Sequence, residues 1–319
     1  MVKIVVLDGF CLNPGDLSWG LFGGITDNVI IYERTSKEQV VERAKNADII
    51  IVNKVVIDKE DMNNLPKLKY IGVLATGYNV VNCDYAKKKG IVVTNIPAYS
   101  TESVVQTVFG LMIEVATGVG YHHNTVMNGD WVRCEDFCYY RNKMMELSGK
   151  TMGIVGFGRI GQRVKDVANA FGMKVIANNK DKVGQGEDYK YVGLEELFKK
   201  SDVISLNCPL TKENEGMINA RTIGLMKKDA IIINAARGGL INEGDLAKAL
   251  NSERIRGAGV DVLSTEPPSA NNPLLKAKNI VITPHIGWAT KEARERLMKI
   301  AVDNVKAYLE GKPINVVNK

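Results

Sequence analysis

The feature that most constrains this fold is a rhythm that the chain runs through twice. Short runs rich in Val and Ile alternate with amphipathic stretches. In the first round, residues 3–7, 29–32, 48–52, 70–74 and 91–94 read as buried strands. Between them, 36–46 has a helical period: Val40, Val41 and Ala44 fall on one face, and the charges fall on the other. Ser36 is placed to cap that helix, and Gly90 closes a short one at 84–89. The second round begins at Thr151, with strands at 152–155, 174–177, 203–206, 230–234, 257–262 and 280–282 and helices at 160–171, 194–200 and 243–251. Strands alternating with helices predict an α/β fold with parallel sheets covered on both faces. A chain of 319 residues exceeds one ordinary core, so two domains are expected. The rounds share a layout but no residue-level repeat. Longer helices are predicted over 101–116 and 291–309. Residues 118–147 read as a loop with short helical pieces, because their aromatic side chains do not suit a linker.

Composition excludes several classes. Apolar residues make up 45% and charged residues 24%, which argues against disorder. The net charge of +6 is mild, and the longest basic run, Lys87 to Lys89, reads as a solvated helix end, so no nucleic-acid partner is expected. MVKIVVLDG reads as a strand rather than a signal peptide, and no apolar run approaches the ~18 residues of a membrane span. Five scattered cysteines fit reduced thiols and a cytoplasmic location. Cys134 and Cys138 make half a metal site that nothing nearby completes, so no metal is expected. The pair His122 and His123 reads as structural.

Two constellations carry chemistry. Gly156, Gly158 and Gly161 form a G-x-G-x-x-G sequence between an apolar strand and a helix. There the first glycine permits a tight turn, the second lets backbone approach a pyrophosphate, and the third allows close helix–strand packing. The acid usually found about 20 residues on, which grips a ribose, is missing. The strand at 174–177 is followed by Asn178, Asn179 and Lys180, and Asp181 arrives late. The second constellation is Arg237, Asp261, Glu266 and His285. Arg237, Glu266 and His285 follow predicted strands and Asp261 lies at the end of one, where open α/β sheets bind ligands. An Arg, an acid and a His there can hold a carboxylate and manage one proton.

These phrases together resemble the D-isomer-specific 2-hydroxyacid dehydrogenases over nearly the whole chain: GIVGFGRIGQ, SLNCPLT, MKKDAIIINAARGGLINEGDLAKAL, GAGVDVLSTEPP and ITPHIGWAT, in that order. Within the family, GVLATGYNVVN and the short tail look like glycerate dehydrogenases, also called hydroxypyruvate reductases. The resemblance implies two doubly wound domains, with a Rossmann nucleotide-binding domain at 100–289 inserted in a flavodoxin-like substrate domain at 1–99 plus 290–319. The active site would lie in the cleft. It also implies an NAD(P)-dependent oxidoreductase that transfers hydride to C2 of a small 2-oxo acid. His285 would be the acid–base, Glu266 would hold its other ring nitrogen, and Arg237 would bind the substrate carboxylate.

Backbone near Thr76, Gly77 and Tyr78 would complete the carboxylate cradle. Asn53, Lys54 and Trp288 are further substrate-site candidates. Asp261 would bond the nicotinamide amide, Arg159 and Ile160 would line the pyrophosphate, and Cys208 and Pro209 the adenosine side. Thr107, Ala235, Ala236 and Gly287 complete the cofactor set. Family members pair through the nucleotide domain, so a homodimer is expected, with 131–140 at or near its interface. With Asn179 and Lys180 in place of an acid, use of both NAD and NADP is expected. Formate or phosphite oxidation is a rival, but formate enzymes of this family carry an amide where Glu266 stands. A nucleotide-sensing, co-repressor-like binding protein is the other rival.

Overall fold

The computed structural model describes residues 1–180, 182, 184 and 186–319. The chain forms two compact units, Met1–Ser100 with Ala289–Lys319, and Thr101–Trp288.

The first unit is built on five parallel strands, β1 (Ile4–Val6), β2 (Val29–Ile31), β3 (Ile49–Val52), β4 (Tyr70–Val73) and β5 (Val92–Thr94), in the order β2-β1-β3-β4-β5. β1, β3 and β4 are buried at every residue, as unbroken Val and Ile runs require when both sheet faces are covered. The order reverses between β1 and β3, the flavodoxin-like switch point. The helix Lys291–Leu309 returns to this unit, and Tyr308 packs on Tyr70 with ring centroids 4.7 Å apart. Its buried Arg294 pairs bidentately with Asp16 at 2.7 and 2.6 Å and donates to the Leu12 carbonyl. That bond to Arg294 is the main reason the Asp16 carboxyl titrates below its usual range.

Among its described residues the second unit has seven parallel strands: β6 (Thr151–Val155), β7 (Lys174–Asn178), β8 (Tyr189–Tyr191), β9 (Val203–Leu206), β10 (Ile231–Asn234), β11 (Gly257–Val260) and β12 (Ile280–Ile282). Their order, β12-β11-β10-β9-β6-β7-β8, reverses between β6 and β9, so this sheet is also doubly wound. One core gathers Leu197, Phe198, Ile232 and Leu246. The other gathers Val108, Met112, Val164 and Ile233. Alternate residues of β10 thus feed the two cores, as the period of two in a strand demands. The helix Thr101–Thr117 packs along β10, β11 and β12. It ends at Gly118, which adopts a left-handed φ of 66°.

Residues 118–147 open with a nine-residue helix, Val119–Met127, and continue without regular structure. Periodicity gave no hint of β8 or of the helices Lys59–Asn63 and Ala220–Leu225. β8 is Tyr-Lys-Tyr and lacks the Val and Ile that mark the other strands, and helices under two turns are too short to show a period. Capping sets the two helices instead: Asp58 accepts from the Glu60 and Asp61 amides, and Asn219 from those of Arg221 and Thr222. Among the described residues, no single helix is long and apolar enough to cross a membrane.

Candidate active site

The glycine loop follows β6 at the switch point of the larger sheet. Gly156 has φ of +89°, and a Cβ there would sit 2.7 Å from the backbone of Asn207 and Cys208. A Cβ on Gly161 would collide with the Gly156 carbonyl oxygen. At Gly158 the opposite holds: a Cβ would meet no protein atom within 4 Å. Gly158 caps the helix Arg159–Ala170 without a side-chain bond, so the first-turn N–H groups keep their hydrogen-bonding capacity. A tight turn, an open face and an uncapped helix N-terminus together fit a dinucleotide pyrophosphate. Arg159 is exposed and Ile160 half-buried at this end.

At the end of β7 the two asparagines separate in role. Asn178 donates its side-chain N–H to the Val192 carbonyl at 2.9 Å and thereby holds the edge strand. Asn179 is half-buried, Lys180 and Lys182 are exposed, and Asp181 lies outside the described residues. Opposite, after β9, Asn214 donates to the Pro209 carbonyl at 2.8 Å and to the Cys208 sulfur at 3.8 Å. Burial pushes the Cys208 thiol above its usual range, which argues against thiolate chemistry there.

The second constellation stands at the carboxyl ends of β10, β11 and β12. Fully buried Asn234 shapes the first turn: its Oδ1 accepts from the Ala236 amide and its Nδ2 donates to the Arg237 carbonyl. This presents Ala235, Ala236 and Arg237 in sequence. Arg237 is exposed and spends one N–H on the Ala236 carbonyl at 2.7 Å, leaving most of its fork for a ligand. A Cβ at Gly238 would collide with the Leu263 backbone, so the Arg237 turn presses against the segment that leads to Glu266.

Glu266 accepts from the Leu263 amide through Oε1 at 3.1 Å, and its Oε2 lies 2.6 Å from His285 Nδ1. A carboxylate there assigns the proton to Nδ1 and leaves Nε2 as the atom for proton exchange. His285 itself has φ of +54°, a left-handed conformation that costs about 1 kcal/mol or more in a non-glycine residue. Asp261, 1% exposed, holds the turn in that state. Its Oδ1 accepts from the Thr283 hydroxyl and the Ile286 amide at 2.6 and 2.9 Å. Its Oδ2 accepts from the Gly287 amide at 2.7 Å, and its carbonyl from the His285 amide at 2.8 Å. Thr107 lies beside the same turn, 3.6 Å from where a Gly287 Cβ would sit, and donates to the Ser103 carbonyl at 3.1 Å. Trp288 is half-buried.

The remaining candidates belong to the first unit. Asn53 is buried and bonds the Leu74 carbonyl, so it is not a solvated strand end. Lys54 beside it is exposed. Thr76 and Tyr78 are exposed and Gly77 half-buried. The Thr76 hydroxyl donates to the Ile96 carbonyl at 2.8 Å. The sequence reading missed Asp8. It sits at the switch point of the smaller sheet, where its carboxylate accepts from the amides of Asn53, Lys54 and Val55 at 2.7, 2.6 and 3.0 Å. Burial raises its carboxyl despite these bonds. An Asp ending an all-apolar strand was the available signal. Among the described residues, no group of three or more His, Cys, Asp or Glu side chains could hold a metal ion.

Comparisons with known proteins extend this geometry. Residues 109–287 match the model of the D-isomer specific 2-hydroxyacid dehydrogenase, NAD binding domain. A hydroxypyruvate reductase of Blautia hydrogenotrophica is 50% identical, with both chains covered completely. An acyclic imino acid reductase solved with NADPH and D-Arg superposes with a TM-score of 0.86 at 34% identity, covering 99% of this chain and 100% of that one. A D-lactate dehydrogenase of Aquifex aeolicus, solved with NAD and lactic acid, superposes with a TM-score of 0.83 at 30% identity, covering 99% of each.

Proposed function

The chain belongs to the D-isomer specific 2-hydroxyacid dehydrogenase family and is an NAD(P)-dependent oxidoreductase; from this premise we propose that it reduces hydroxypyruvate, glyoxylate or a near relative to the D-2-hydroxy acid. The observation that carries the reading is the His285–Glu266 pair, 2.6 Å apart, beside an exposed arginine at the carboxyl edge of one sheet.

A bound dinucleotide supplies the hydride. The chain's own residues do the rest. Gly158, Arg159, Ile160 and Gly161 would hold the pyrophosphate through backbone N–H groups, while Gly156 makes the turn and donates its own N–H to the Asn178 carbonyl. Asn179, Lys180, Cys208 and Pro209 flank the adenosine end. Ala235, Ala236 and Gly287 would line the nicotinamide side, and Thr107 would reach toward the phosphates. Asp261 keeps a lone pair on Oδ2 for the nicotinamide amide, because that oxygen receives only one protein hydrogen bond.

Arg237 grips the 2-oxo acid through carboxylate and carbonyl oxygens, with its planar fork matching two acceptors at once. Thr76, Gly77 and Tyr78 add backbone donors, and Asn53, Lys54 and Trp288 bound the substrate. Protonated His285 gives its Nε2 proton to the substrate carbonyl oxygen as the hydride adds to C2. Glu266 holds the ring through Nδ1 and stabilises the imidazolium before transfer. In the oxidative direction the same nitrogen takes the proton back.

Glu266 stands where formate oxidation would require a neutral amide, which disfavours that alternative. The free cysteines support a reducing compartment such as the cytoplasm. The test is purified protein against a panel of 2-oxo acids with NADH and NADPH, followed at the nicotinamide absorbance. Turnover of hydroxypyruvate or glyoxylate supports the reading. Tight nucleotide binding with no turnover of any 2-oxo acid would move the protein to a sensing role.

A further inference from the structure

The helix Thr101–Thr117 turns mainly Val, Leu, Met and Phe toward its own unit, yet Ser103 on the same buried side is a hydroxyl only 3% exposed. A buried hydroxyl is costly unless it is hydrogen-bonded. Ser103 Oγ donates to the Gly287 carbonyl at 2.6 Å. Gly287 is two residues past His285, and its amide is already held by Asp261 Oδ2 at 2.7 Å. Its two backbone groups are therefore gripped from opposite sides, by Asp261 on the amide and by the helix on the carbonyl. A side chain at 287 has no room between these grips: a Cβ would lie 2.9 Å from Asp261 Oδ2.

We propose that Ser103 is a positioning residue for the reaction, which fixes His285 on Glu266 by anchoring the far end of the His285–Gly287 turn to the helix. The proposal rests on the reading of His285 as the acid–base. The physical need is clear from the backbone. His285 occupies a left-handed conformation with φ of +54°, to which a residue with a Cβ does not hold without external restraint. Asp261 restrains the turn through Thr283, His285, Ile286 and the Gly287 amide. Ser103 restrains the peptide that leaves the turn, at the Gly287 carbonyl. With that carbonyl released, the leaving peptide can rotate, and the conformation held at His285 can relax through it and carry Nδ1 away from Glu266 Oε2. Among the described residues, the titratable groups hydrogen-bonded to the turn are Asp261 and Glu266, and Ser103 is neutral, so its removal changes geometry and not charge.

The test compares Ser103→Ala, Ser103→Thr and His285→Gln in the full-length enzyme, with NADH binding by fluorescence and thermal melting as controls. For Ser103→Ala, kcat should fall about tenfold, since an error near 1 Å at a reacting group has effects of this order or larger. The Michaelis constants for NADH and the 2-oxo acid should hold. The alkaline limb of the reduction profile should move to lower pH as the carboxylate supports the imidazolium less well. Ser103→Thr keeps the hydroxyl and should recover most of both. The proposal is overturned if Ser103→Ala has the parent kcat and pH profile while His285→Gln is inactive. It is equally overturned if kcat falls only in step with the loss of folded protein and the profile does not move. If His285→Gln itself turns over normally, the acid–base reading fails first, and the role of Ser103 goes with it.

Discussion

His285 Nδ1 and Glu266 Oε2 stand 2.6 Å apart, although 19 residues separate them and they follow different strands. The pair assigns two distinguishable outcomes to two mutations. His285→Gln removes the proton donor and should lower turnover by about 10²-fold or more, the usual scale of general acid–base catalysis, with dinucleotide binding preserved. Glu266→Gln keeps a hydrogen-bond acceptor but removes the charge that stabilises imidazolium. Reduction needs the protonated ring, so its alkaline limb should shift to lower pH. Initial rates across pH for parent and both variants check this; an unmoved limb in Glu266→Gln would refute the electrostatic role.

Arg237 is presented by the Asn234 turn with most of its donors unspent. Arg237→Lys retains the charge and loses the planar fork, so a bidentate partner should notice and a monodentate one should not. The Michaelis constant for the 2-oxo acid should rise at least about tenfold, on the order of 1.4 kcal/mol of binding. That for the nicotinamide should stay within about twofold. Equal changes in both would assign Arg237 to structure rather than to substrate.

Gly156 combines a left-handed φ with backbone atoms 2.7 Å from any added Cβ. Strain and collision act together, so Gly156→Ala should destabilise the protein by about 2 kcal/mol or more. Urea unfolding checks the magnitude. Gly158→Ala meets no protein atom and has ordinary space around it. It should leave stability nearly unchanged and weaken NADH binding, because its cost falls only on the ligand. If both variants bind NADH as the parent does, the loop does not hold the pyrophosphate.

These outcomes bear on how far the sequence was readable. All strands of both sheets except β8 were legible because buried Val and Ile runs have few alternatives. The glycine loop was legible because three spaced glycines between strand and helix serve one purpose. Ser103 and Asp8 were not. Their work is done on backbone groups 184 and 45 to 47 residues away, and no local pattern records such a partner. Likewise Asn178 and Asn179 read alike in sequence, and only the bond to Val192 shows that the first is spent on the sheet edge. The edge strand β8 escaped because Tyr-Lys-Tyr lacks the Val and Ile of the other strands.

Three aromatics of residues 131–140 face solvent: Phe137 is 89% exposed, Tyr140 73% and Trp131 52%. The Trp131 indole is tied to the Phe137 carbonyl at 3.0 Å, so the cluster has internal order. Exposed aromatic patches of this kind mark partner surfaces. A second copy of the chain is the expected partner, and light scattering at micromolar concentration should give the mass of a dimer. Phe137→Asp with Tyr140→Asp should shift that mass toward the monomer. A monomeric parent would end the proposal.

Cofactor choice turns on what stands past β7. An acid there would bond the ribose hydroxyls and repel an extra phosphate. With Asn178 held by Val192, Asn179 is the residue proposed to meet the ribose, where it would offer hydrogen bonds without repulsion. Lys180 and Lys182 are exposed beside it. One lysine on a partly exposed phosphate is worth on the order of 1 kcal/mol, enough for a severalfold preference. With no repulsion and these lysines nearby, dual use is expected: kcat/KM for NADPH should fall within about tenfold of that for NADH. Asn179→Asp should push the balance toward NADH by restoring repulsion. Strict NADH dependence in the parent, or no movement in the variant, would show that the choice is made elsewhere.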